Sequence, residues 1–100
     1  MPIYQAAPAA DELLDITAGG VSAGGTYLLT IVNRGRAEGR VSVAVTNGVA
    51  PAPSSWIEWE ALIKAGDVLA RHPLPLPAGA RVYVRTTTSD VSVTLIGREE

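Results

Sequence analysis

The side chains that could do chemistry in this sequence are few and widely spaced. Glu58 and Glu60 stand two residues apart in a β-rich run. On one face of a strand they would lie about 7 Å apart, near the separation of a glycosidase carboxylate pair. Carboxylates on one strand face are usually solvated, and no surrounding pattern indicates a cleft. We therefore expect no catalytic site at this pair.

Other reactive groups do not form a recognisable set either. His72 is the single histidine, so neither a catalytic triad nor a multi-histidine metal site can be assembled around it. Asp11, Glu12 and Asp15 could together bind a cation, but acids near a chain terminus are more commonly solvated. The chain has no cysteine, which excludes disulfides and Cys-based zinc sites. The sequence thus predicts a protein that is not an enzyme and has no metal or cofactor.

Two tryptophans suggest binding of a ligand or a protein. Trp56 and Trp59 are three residues apart, so in a regular strand they point to opposite faces. We expect Trp59 to join Ile57 in the core and Trp56 to lie on the face that carries the glutamates. There Trp56 is either an interface anchor, a role in which tryptophan is enriched, or a cover for the rim of the domain.

Composition narrows the class of protein. The chain has 100 residues, enough for one domain, and it is 47% hydrophobic with no Phe and one Met. A core of Val, Leu and Ile favours sheets. The net charge is −2, which gives no electrostatic surface for nucleic acid or an anionic membrane. The first sixteen residues have the pattern of neither a signal peptide nor a membrane span.

The central stretch of the chain carries two β-rich runs. In 40–46, Val41, Val43 and Val45 alternate with smaller or polar residues, which predicts a strand with one buried face. The run 27–33 has apolar residues on both faces, so it is a central strand or meets a partner with one face. The Arg/Gly-rich segment between the two runs predicts that they form a hairpin.

The remaining pattern is one of short strands. We expect them near 13–17, 56–63, 68–76, 81–87 and 91–96, the third at a sheet edge because Pro73 and Pro75 lack a backbone donor. Such spacing without a long helix predicts an all-β, single-domain antiparallel β-sandwich or Greek-key-like barrel. The predicted core comprises Leu29, Ile31, Val41, Val43, Val45, Ile57, Trp59, Val82, Val84, Val91, Val93 and Leu95.

The N-terminal residues differ in composition from the rest. Residues 1–10 contain two prolines and four alanines. We expect them to form an extended arm that becomes ordered only by docking to another molecule, and residues 11–100 to form the sandwich domain.

Five segments together resemble a known group of proteins. They are Ile31-Val32-Asn33-Arg34, Arg40 to Val45, Trp56 to Glu60, Pro77 to Val84, and Val91 to Thr94. In these the chain resembles small all-β proteins encoded among tailed-bacteriophage and prophage virion genes. The resemblance implies a structural role without catalytic residues and does not choose between capsid and tail. Together with the docking-type N-terminus, it makes capsid decoration or cementing by protein–protein binding the first expectation. The alternative is a tail-fibre or tail-accessory module that binds a receptor or carbohydrate.

The same resemblance implies the surroundings in which the chain works. Its partners would be major capsid or tail proteins, and its place the virion, assembled in the host cytoplasm. We also expect a symmetric homo-oligomer, with a trimer as the first expectation. Residues 1–10 have too little apolar surface to fold alone, and the strand 27–33 has more apolar faces than one thin sandwich needs. The candidate interface residues are Pro2, Tyr4, Arg34, Arg36 and Trp56.

Overall fold

The fold consists of two packed β-sheets. The computed structural model describes residues 3–99, and in this range the elements follow one another in chain order. The strands are β1 (Ile3–Ala6), β2 (Leu14–Asp15), β3 (Gly25–Asn33), β4 (Gly39–Thr46), β5 (Trp56–Ile63), β6 (Val68–Leu76), β7 (Arg81–Thr86) and β8 (Val91–Glu99), with a 3₁₀ turn at Pro53–Ser55 before β5.

The strands pair in a nested order. One sheet has the order β1-β8-β3-β6 and the other β2-β7-β4-β5, and neighbouring strands in both are antiparallel. The first described strand thus pairs with the last, the second with the seventh, the third with the sixth and the fourth with the fifth. This is the arrangement of a jelly roll, a double-sheet sandwich. The prediction of an all-β antiparallel sandwich is confirmed.

The predicted hairpin of β3 and β4 is wrong. Strand β3 lies between β8 and β6, whereas β4 lies between β7 and β5 of the other sheet. The connection crosses between the sheets because Asn33, which is fully buried, holds it there. Its amide nitrogen donates hydrogen bonds to the carbonyls of Ala37 at 2.9 Å and Ile63 at 3.1 Å, and its amide oxygen accepts one from the Gly35 N–H. The predicted central position of β3 is confirmed.

The core lies between the two sheets. Nine predicted core residues are buried, Val45 and Ile57 pack against the core partly buried, and Trp59 is exposed. The core also includes residues that were not predicted: Ile16, Val21, Tyr27, Ala44, Ile63, Leu76 and Ala80. A buried tyrosine needs a hydrogen-bond partner, and the Tyr27 hydroxyl donates to the Ala23 carbonyl at 2.7 Å.

The N-terminal segment belongs to the sheet of its own chain. Strand β1 pairs with β8, from Ile3 opposite Ile96 to Ala6 opposite Val93. Tyr4 packs against the core, and its hydroxyl accepts a hydrogen bond from the Ser22 N–H at 3.1 Å. The expectation that this segment is ordered only by another molecule is therefore wrong for Ile3–Ala6. The division of the chain at residue 10 stays a prediction.

Each sheet has two edge strands. Each lateral side of the sandwich is formed by one edge strand from each sheet. The turn 64–67 joins β5 to β6, so these two strands lie on one side, and β1 and β2 lie on the other. The predicted edge position of β6 is confirmed. At this side Arg71 of β6 reaches the opposite sheet, where its Nε lies 2.7 Å from Oε2 of Glu58 and its Nη2 donates to the Ile57 carbonyl at 3.0 Å.

Candidate functional site

A shallow apolar groove lies beside the edge strand β5. The chain leaves β4 into a Pro-rich loop, and the 3₁₀ turn sets the start of β5: the Ser55 N–H donates to the Ala52 carbonyl, and the Ala52 N–H donates to the Ser55 hydroxyl. The loop thereby folds back over the outer face of the first half of β5. We call the resulting cavity of about 560 Å³ the tryptophan groove, lined by Pro51, Ala52, Pro53, Trp56 and Trp59.

Trp59 is not a core residue, contrary to the sequence prediction. It is 61% exposed. The strand pairing gives the reason: Val41 pairs with Ala61 and Val43 with Glu58, so two residues of β5 lie opposite Ser42 alone. This is a β-bulge, marked by a positive φ of 48° at Glu60, whose N–H donates to the Ser42 hydroxyl at 2.9 Å. A second register shift follows, because Val43 pairs with Glu58 but Ala44 pairs with Trp56. The extra residue there lies between the two tryptophans, reverses the alternation of faces and turns Trp59 outwards.

The register shift between Glu58 and Trp56 brings the two tryptophans to the same face. Their ring centroids lie 5.0 Å apart with an interplanar angle of 72°, an edge-to-face contact. The prediction that the pair lies on opposite faces of the strand is therefore wrong. Trp56 is half-buried and forms a wall, while Trp59 presents its ring to solvent. Such an arrangement can bury an apolar side chain or stack on a flat ring.

The carboxylates near the groove are separated from each other. Glu58 is held by the ion pair with Arg71, so its charge is neutralised at the lateral side of the sandwich. Glu60 sits at the bulge, and its backbone carbonyl accepts a hydrogen bond from Arg40 Nη1 at 3.2 Å. The two side chains thus have different surroundings and do not form a matched acid–base pair.

A charged cluster occupies the other half of the same sheet. Arg81 Nη1 donates to the Tyr83 hydroxyl at 3.3 Å, and this hydrogen bond is the main cause that raises the pKa of Arg81 above its ordinary value, with Asp15 adding to it. Asp15 in turn accepts hydrogen bonds from the N–H groups of Thr17 and Gly19, both at 2.9 Å. The cluster fixes the loop after β2 and is explained by that structural task.

The candidate interface residues are not brought together. Pro2 lies outside the described residues. Tyr4 is on β1, Arg36 is exposed in the crossing loop after β3, and Arg34 at the start of that loop donates to the Ser89 carbonyl at 3.3 Å. Only Trp56 lies in the tryptophan groove. An interface role for each of them stays a prediction. The groove partner that sequence reasoning missed is Trp59, since no residue type in β5 signals the bulge.

Two features are absent from residues 3–99. In this part of the chain no helix has the length and apolar character needed to span a membrane. Within the same residues, no group of three or more His, Cys, Asp or Glu side chains is placed to hold a metal ion.

The chain is similar in fold to solved phage proteins. Two such structures are each described as a pentameric capsid protein isolated from metagenomic phage sequences, and one of them was solved by iodide phasing. Each shares 14% sequence identity and covers 95% of this chain, with TM-scores of 0.47 and 0.43. This chain spans 59% and 60% of their respective lengths. No family model matches the sequence, and no curated protein is similar to it.

Proposed function

We propose that the protein is a structural component of a bacteriophage virion, a capsid decoration or cement protein that acts by binding other virion proteins. Its partners are major capsid or tail proteins, and it works as a homo-oligomer. The sequence resemblance to virion proteins supports this role, and the jelly roll is a fold that viral capsid domains use. Fold alone does not assign a function, so the proposal depends on a surface that can bind protein.

The exposed ring of Trp59 is the observation that carries the proposal. A side chain of this size that is 61% exposed, braced by Trp56 and bordered by two prolines, has the form of an interface anchor. Leu62, 47% exposed, is a second exposed apolar side chain on the same strand. Tryptophan side chains at the centre of an interface often contribute most of the binding energy.

Addition of the protein to particles that lack it tests this function. Co-sedimentation should show saturable binding, with the same number of molecules per particle in every preparation. The Trp59→Ser variant should bind less while its circular dichroism spectrum stays that of the wild type. Absence of saturable binding to heads and to tails would overturn the proposal.

The tryptophan groove also supports a second candidate, a tail module that binds a receptor carbohydrate. Aromatic rings stack on sugar faces, and the volume of about 560 Å³ lies in the range of small-ligand pockets. The ring of Trp59 is 61% exposed and therefore has surface on which a single pyranose can stack. A glycan array probed with the wild type and with Trp59→Ser tests this candidate, and absence of any glycan whose signal depends on Trp59 would remove it.

A further inference from the structure

The outer face of the β1-β8-β3-β6 sheet, which we call the uncharged face, has an unusual composition. Its centre is formed by Leu28, Thr30 and Val32 of β3 beside Ile96, Thr94 and Ser92 of β8, which pair in that order. The alternate residues of both strands are buried in the core, so these six side chains point outwards. We infer that two copies of this chain pair through the uncharged face, about a two-fold axis.

The edge strands β1 and β6 also place uncharged side chains on this face. On one side Ile3 and Gln5 of β1 pair with Ile96 and Thr94, and on the other Ala70 and Val68 of β6 pair with Thr30 and Val32. Ile3 is 56% exposed and Val68 58%. None of the ten side chains is charged. The face is therefore an uncharged surface of apolar, hydroxyl and amide side chains, and its middle row spans all four strands. His72 borders it, opposite Leu28 at the register shift of β6.

The opposite sheet shows what a solvated outer face looks like in this protein. It carries Arg81 beside Asp15 and Arg85 beside Asp11, each pair with a nitrogen–oxygen distance of 3.9 Å. An antiparallel sandwich normally places polar and charged residues on its water-facing sides. Because large uncharged apolar patches on small proteins mark interaction sites, the uncharged face is the one expected to be covered.

A second copy of the chain fits this face best. With no charge, the face gives a strongly charged partner nothing to pair with, whereas a copy of itself meets no repulsion. Sheets also pack readily face to face. The ten side chains cover roughly 300 Å² of sheet. This is less than the ~800 Å² per partner of a standard interface, so we expect the pairing to be weak and to form at high protein concentration. A two-fold axis brings the same patch of both copies together.

This inference deepens the proposed homo-oligomer, on which it depends, by giving its surface and symmetry. A contact of this kind joins chains in pairs, in place of the trimer expected from the sequence. Thr30 lies in the middle row of the face, between Thr94 and Ala70, so it is the position nearest the proposed axis. A charge placed there would be brought close to the same charge on the other copy.

Light scattering on two charge variants and their mixture tests the pairing. At high concentration the wild type should have the mass of two chains, and Thr30→Arg and Thr30→Asp should each have the mass of one. An equimolar mixture of the two variants should regain the paired mass, because opposite charges then meet across the axis. A matched pair of milder changes is Val68→Arg on the face and Val49→Arg in a loop, where Val49 is 63% exposed. Only the first should weaken pairing.

Each contrary outcome has a distinct meaning. If Thr30→Arg and Val68→Arg keep the wild-type mass, or the mixture of variants stays monomeric, the uncharged face is not the contact, although a homo-oligomer still stands. A monomeric wild type at high concentration would overturn both the pairing and the homo-oligomer. Neither result bears on the proposed binding of the protein to particles through Trp59, because co-sedimentation measures that binding separately. Circular dichroism confirms that every variant is folded.

Discussion

The ring of Tyr27 lies directly over Gly97 on the neighbouring strand, in the space that a Cβ atom at position 97 would occupy. Tyr27 is fully buried, and its hydroxyl is fixed to the Ala23 carbonyl, so the ring has no room to move away. Glycine at 97 is therefore required by the packing of a tyrosine and not by a turn. This contact closes one end of the core.

Gly97→Ala should destabilise the domain through this contact. The added methyl group overpacks the core, which lowers the free energy of unfolding by roughly 1–3 kcal/mol. Chemical denaturation measures the change. In a Tyr27→Val background the ring is absent, so the same substitution should have a much smaller effect. Equal losses in the two backgrounds would show that the contact does not limit residue 97.

Asn33→Ala should destabilise the crossing between the sheets. The substitution leaves the buried Ile63 carbonyl without the donor it has now, and an unsatisfied buried group lowers stability by about 1–3 kcal/mol. Asn47→Ala is the matched control, because Asn47 is exposed. Thermal melts of both variants give the comparison. The account of the loop fails if the two substitutions have the same effect.

Val43→Asp should unfold the protein. Val43 is fully buried between the sheets, and an unpaired buried carboxylate lowers stability by several kcal/mol, comparable with the whole stability of a small domain. The same change at the exposed Val49 should leave the circular dichroism spectrum and the melting temperature nearly unchanged. A folded Val43→Asp variant would contradict the position assigned to this strand.

Deletion of residues 1–10 should lower the melting temperature of the isolated protein. The deletion removes β1, opens the edge of β8 and takes away Tyr4 and the buried Pro8. A mere docking arm would instead be removed without loss of stability. An unchanged melting temperature in the truncated chain would restore the arm interpretation.

The regular alternation of apolar with small or polar residues made much of the fold predictable. The valines of β4, β7 and β8 alternate with smaller or polar residues, and their inward direction is confirmed. Strand β5 has the predicted bounds, Trp56–Ile63. The placement of β3 and β4 in different sheets was not predictable, because the crossing between them is held by a hydrogen bond from Asn33 to a carbonyl thirty residues away. Sequence spacing cannot reveal such a long-range partner.

The tryptophan groove was predictable only in part. Trp56 is identified by its residue type, but the position of Trp59 depends on two register shifts in β5, of which the one at Glu60 is held by the Ser42 hydroxyl of the neighbouring strand. Because a strand's side chains alternate with a period of two, one inserted residue reverses every face assignment that follows it. The uncharged face was anticipated in one respect, since the run 27–33 carries apolar residues on both faces.

His72→Ala should bind particles like the wild type. His72 is exposed on β6 and belongs to neither the tryptophan groove nor the ten side chains of the uncharged face. Binding by shape spreads its energy over a surface and does not depend on a single titratable group. Co-sedimentation with particles measures this, and a folded His72→Ala protein that fails to bind would indicate a site at the histidine.

The dissociation constant for particles, compared between Trp59→Ser and Val49→Ser, tests the central claim most directly. Both positions are exposed to a similar degree, 61% and 63%, so neither change should disturb the fold. If Trp59 is an interface anchor worth about 2 kcal/mol, its loss raises the dissociation constant roughly 30-fold, while Val49→Ser changes it little. Equal affinities of the two variants and the wild type would contradict the claim that this surface binds the virion.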